Sequence, residues 1–156
     1  MYSEKLRRVC LLTAGIASSA MATFHFFLPH VFGWARFVAK IPSPIRWGLF
    51  SLNVFFSSLL LWGGITTIIA TFRGKESHLL SYCIFIGMGC FWIINASYQI
   101  LFPFPAAVWR WILLAFAIAV AFLYLFAIYL SPHKSVRSTR DAGQRIIMSS
   151  ETSNER

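Results

Sequence analysis

Few residues in this chain are equipped for chemistry, and those that are sit among apolar neighbours. The cysteines are Cys10, Cys83 and Cys90, with no Cys-x-x-Cys pair. A thiol oxidoreductase needs paired, activated thiols, so that activity is not expected. Cys10 lies beside a basic amino end and could be acylated, although a small packing residue is the simpler reading. The histidines are His25, His30, His78 and His133, and no His-Glu-x-x-His run occurs. Only His25 falls inside an apolar stretch, so neither zinc nor a bis-histidine haem is expected, and no cofactor or metal is assigned. The apolar stretches also contain no Asp or Glu, the usual carriers of proton coupling within a membrane.

What remains is a set of uncharged polar groups. Asn95 and Gln99 are four apart and share a helix face, which Tyr98 borders; Gly87 and Phe91 extend it. Asn53 shares a face with Ser57 and Gly64, and His25 with Ala22, Ser18 and Ala14. Small residues mark the faces on which helices approach closely in lipid, so these polar groups should point inward. Measured from the helix ends, all five fall within about 10 Å of one interface, at about 1.5 Å rise per residue. The candidate ligand site is therefore His25, Asn53, Asn95, Tyr98 and Gln99. Arg36, Arg46 and Arg110 are candidates for headgroup binding around its mouth. Trp34, Trp47, Trp109 and Trp111 would form an interfacial belt. Three readings compete for the cluster. A hydrogen-bonded structural clamp comes first, a lipid or quinone headgroup site second. Catalysis with His25 as general base comes last, since no nucleophile or acidic partner is evident and no catalytic residue is assigned.

The elements that must position these groups follow from composition. The chain has 156 residues, 58% of them hydrophobic and 12% charged. A soluble domain has about 25% charged residues, and a chain this short could not hide such an apolar excess from water. Four apolar stretches cover about residues 9–28, 47–72, 79–101 and 106–130. Each reaches the roughly 20 residues needed to cross a bilayer as helix. A closed barrel would need alternating polarity, which runs such as Trp111 to Ala119 lack. The fold class expected is all-α: a polytopic membrane protein, a four-transmembrane-helix bundle over residues 1–130. Residues 131–156 should form a disordered, basic tail. Pro42 and Pro44 should keep the first connection, Pro29 to Arg46, from being one continuous helix. The fourth stretch is apolar all round except Tyr124. Its strips Ala115/Ala119 and Ala117/Ala121 suit close helix docking. The sequon Asn95-Ala96-Ser97 lies within the third helix and should not be glycosylated.

Orientation follows from the 14 Lys and Arg residues, ten of which fall on the side of the two chain ends and four on the other. Both termini should face the cytoplasm, in a plasma or inner membrane or the endoplasmic reticulum. A cleaved signal peptide over residues 1–22 is the rival reading of the first stretch, but apolar residues continue to Leu28, long enough to span. The net charge of +9 suits anionic lipid headgroups better than nucleic acid, because the basic tail has no interleaved aromatics. Membrane lipids are thus the expected partners, with other membrane subunits or self-association beside them. The expected role is an accessory or scaffold subunit, and the alternative a lipid- or quinone-binding protein or small transporter.

Overall fold

A computed structural model describes residues 2–72, 78–102 and 107–131 of the protein. The expected tail from Pro132 on, most of the polar turn 73–78 and most of the proline turn lie outside these residues. Five helices appear: α1 (Tyr2–Val31), α2 (Trp34–Val38), α3 (Ser43–Phe72), α4 (His78–Leu101) and α5 (Ala107–Tyr129). Four of them, all but the short α2, are long and apolar enough to cross a membrane. The chain is a polytopic, all-α bundle.

The helices outrun the apolar stretches at several ends, for local reasons. At the start of α1, Glu4 accepts from Arg7 at 2.9 and 3.0 Å and from Arg8 at 3.2 Å, so the charged turn continues the helix. Ser3 Oγ donates to the Leu130 carbonyl oxygen at 3.4 Å and ties α1 to the end of α5. α3 starts at Ser43, earlier than the prolines suggested. Pro44 falls in its first turn, where the missing N–H would have had no partner anyway. Between α1 and α2 the chain turns at Gly33, whose φ of 59° favours a residue without Cβ.

α1 packs most closely on α3, and α4 on α5; the two pairs meet along α1–α5 and, over a shorter length, α3–α4. Much of the interior is small and hydroxyl-bearing residues, with Leu11, Leu60, Phe85 and Trp92 buried among them. Ala14, Ser18 and Ala22 of α1, Ser57 and Thr67 of α3, and Ala117 of α5 are buried, whereas Phe55, Leu59, Trp62 and Ile94 face outward. Lipid is as apolar as Leu, so nothing drives large aliphatics inward; close van der Waals contact does the holding. At the α1–α3 crossing Gly64 meets the α1 backbone directly. A Cβ there would stand 2.8 Å from the Gly15 carbonyl oxygen and 2.9 Å from the Ser19 nitrogen. On α3–α4 the Met88 side chain packs onto Gly63. Of the two alanine strips on α5, Ala117/Ala121 is buried in the bundle and Ala115/Ala119 is exposed.

Deep in the bundle one chain of hydrogen bonds joins all four long helices. The Trp92 indole N–H donates to Ser18 Oγ at 3.0 Å. Ser18 Oγ lies 3.5 Å from the Tyr124 hydroxyl, and that hydroxyl lies 3.1 Å from Thr67 Oγ1. Thr67 spends its single hydrogen on the Gly63 carbonyl oxygen at 2.8 Å. Hydroxyls have one hydrogen each, so the direction is fixed: Trp92 to Ser18, Ser18 to Tyr124, Tyr124 to Thr67, Thr67 to Gly63. Trp92 and Tyr124 are 2% and 0% exposed, and no buried side-chain polar atom among the described residues lacks a partner.

Tyr124→Phe removes two of these bonds and should cost about 1 kcal/mol, at about 0.6 kcal/mol per interhelical bond in a membrane. Gly64→Val must push the α1 and α3 backbones apart and should cost more, of the order of 1–3 kcal/mol. Unfolding in mixed micelles followed by tryptophan fluorescence gives both values, and the reverse ranking would contradict this packing.

Candidate functional site

At the end of the bundle that carries α2, the two helix pairs form a half-open cavity of about 600 Å³. Its wall is supplied by the later turns of α1 and α4, the earlier turns of α3 and α5, and Phe32 and Trp34 at α2, as in an up-down-up-down bundle. All five residues expected from the sequence line it: His25, Asn53, Asn95, Tyr98 and Gln99. Arg36, Arg46 and Arg110 do not. Arg36 and Arg46 are exposed on α2 and the first turn of α3, and Arg110 is half-buried in the first turn of α5. The expected tryptophan belt divides. Trp34 and Trp109 turn to the cavity, while Trp47 and Trp111 face outward.

The floor is aromatic. Ring centroids step from His25 to Phe56 (4.9 Å), Phe56 to Phe91 (5.4 Å) and Phe91 to Trp92 (5.6 Å), and behind this floor Trp92 packs on Phe116 of α5 (5.5 Å). Trp92 belongs both to this floor and to the buried hydrogen-bond chain, so its bond to Ser18 sets the plane of the indole beneath the cavity.

The polar members are not equivalent. Pro29 stands inside α1 and has no N–H, so the carbonyl four residues earlier, that of His25, lacks its helical donor. Asn53 Nδ2 donates to that oxygen at 3.0 Å from α3. This is the structural clamp, formed because an unpaired carbonyl at membrane depth is costly. Ser57 Oγ in turn donates to the Asn53 carbonyl at 2.6 Å. Asn95 and Gln99 differ. Both are half-buried on the cavity wall, and among the described residues neither side-chain amide has a hydrogen-bond partner. Tyr98 reaches the cavity rim but is 58% exposed, with its ring on Phe102 at 5.1 Å. The face expected to run inward from Asn95 through Gly87 is rotated. Gly87 is exposed, and α4 buries Phe85, Met88, Trp92 and Ala96, because its tight contact with α5 takes that side.

No family model, curated protein or solved structure matches this chain.

The site therefore rests on its own geometry. Among the described residues no group of three or more His, Cys, Asp or Glu side chains gathers as metal ligands. Cys10 is buried, while Cys83 and Cys90 are exposed on α4 and stand apart from the cavity wall. Trp92, Thr67 and Tyr124 are the positioning residues that sequence reasoning passed over. The available signal was a polar ring atom far from either interface, which needs a partner wherever it is buried.

Asn53→Leu should destabilise the bundle by about 1–3 kcal/mol, the cost of an orphaned buried acceptor. Pro29→Ala restores the helical donor. In that background Asn53→Leu should cost less, with a coupling of about 0.5–1.5 kcal/mol in a double-mutant cycle. Strictly additive costs would show that Asn53 does not serve the His25 carbonyl.

Proposed function

We propose that this protein binds a lipid-like amphiphile in the cavity between its helix pairs. One observation carries the reading: two primary amides, Asn95 and Gln99, line the cavity without a protein partner among the described residues. Asn95 stands six residues, about 9 Å, inside the end of α4. An amide there that met only acyl chains would be costly, so a bound polar group is a natural complement. The volume lies within the roughly 300–1,000 Å³ of small-molecule sites, and the wall has their usual mixture of many apolar groups and few polar ones. By the distribution of Lys and Arg, the α2 end faces the exoplasmic side and the chain ends face the cytoplasm. Arg36 and Arg46 then sit at the exoplasmic headgroup level, with Arg110 nearby.

The accessory-subunit reading draws on a different surface. Cys83, Gly87 and Cys90 share an exposed stripe on α4, and a Cβ on Gly87 would meet nothing within 4 Å. That stripe leaves room for another helix.

Native mass spectrometry of protein released from mild detergent separates the two. Binding predicts a retained lipid-mass adduct, largely lost when Asn95 and Gln99 are both changed to Leu, with helical circular dichroism unchanged. An adduct-free wild-type protein that copurifies with another polypeptide would favour the accessory role.

A further inference from the structure

We infer that the amphiphile held in this cavity has an uncharged head, a hydroxyl or carbonyl group as in a glyceride or a long-chain alcohol, and not a phosphate. The inference rests on the binding reading above. Its ground is the chemistry of the wall. Among the described residues, the polar groups on the cavity wall are amides, an imidazole, a phenol and the indoles of Trp34 and Trp109, with no Lys, Arg, Asp or Glu.

An anion drawn into such a wall loses its water and gains no counter-charge, and burying an unpaired charge is far costlier than burying a hydrogen-bonded neutral group. The uncommitted amides suit a neutral head in number as well as kind. Asn95 and Gln99 each offer two N–H donors and a carbonyl acceptor, so together they can satisfy a hydroxyl, which both gives and takes a hydrogen bond. Asn53 commits one N–H to the His25 carbonyl and keeps the other N–H and its Oδ1. Size narrows the class further. A cavity of about 600 Å³ suits a drug-sized body, hence a head and the adjoining part of one chain. The remaining chain leaves above the packed Phe56 and Phe91 rings, between α3 and α4, which meet over a shorter length than α1–α3, α4–α5 or α1–α5.

The test uses two photoreactive probes with the same diazirine-bearing oleoyl chain, one a monoacylglycerol and the other a lysophosphatidate. Each is titrated into the full-length protein in phosphatidylcholine nanodiscs, and labelled peptides are mapped by mass spectrometry. The expected result is saturable labelling of the cavity wall by the monoacylglycerol at a half-saturating concentration at least tenfold below that of the lysophosphatidate. Equal or tighter labelling by the lysophosphatidate at the same wall would overturn the uncharged head and leave the binding reading standing. Such labelling lost in the Arg36→Gln/Arg46→Gln variant would assign the phosphate to the arginines at the mouth. Saturable labelling of the wall by neither probe would sink both this inference and the binding reading.

Discussion

Four helices in lipid have no hydrophobic force to gather them, and here a directed run of hydrogen bonds crosses the bundle and joins all four. Each of its members gives one hydrogen bond to the next, from the Trp92 indole through Ser18, Tyr124 and Thr67 to a backbone carbonyl on α3. Every long helix contributes a link. Polarisation along such a run makes it worth more than its separate bonds, and a missing link strands a polar atom in an apolar interior. The small residues around it, Ala14, Gly64 and Ala117 among them, let the helices come close enough for these short side chains to touch.

That tie divides the bundle into unlike halves. Toward the chain ends, Cys10, Leu11, Thr71 and Ala127 are buried and Ser3 bonds the chain just past α5, so the helices are closed on one another. Toward α2 the pairs separate and large rings replace small residues. The same Trp92 that anchors the tie forms part of the floor from which the cavity rises. Stability and the candidate site are thus joined through one side chain, and the cavity needs no separate scaffold.

The gross fold was legible because a bilayer imposes length and apolarity on each span, and no soluble alternative accommodates this composition. The polar layer was legible for a related reason. His25, Asn53, Asn95, Tyr98 and Gln99 stand at matching distances from the ends of antiparallel helices, and rise per residue is fixed. What the residues do within the layer was not. Asn53 became a clamp because Pro29 frees a carbonyl on another helix, a relation visible only when α1 and α3 are side by side. The tie itself was hidden by ambiguity. Trp62 and Trp92 both lie well inside their spans, yet Trp62 faces outward at 62% exposure and Trp92 is buried. Rotation of a nearly uniform apolar helix is set by its neighbours, and the rotation of α4 that exposes Gly87 has the same origin.

The central claim is that the α2 end of the bundle encloses a specific site and is not merely bathed in bulk lipid. Benzoylphenylalanine incorporated at Phe56, on the cavity floor, or at Phe55, 65% exposed on the neighbouring position, probes this in native membranes. Irradiation followed by intact-mass analysis should give one dominant adduct from position 56 and the mixed lipid population of the membrane from position 55. The same mixture from both positions would contradict the account.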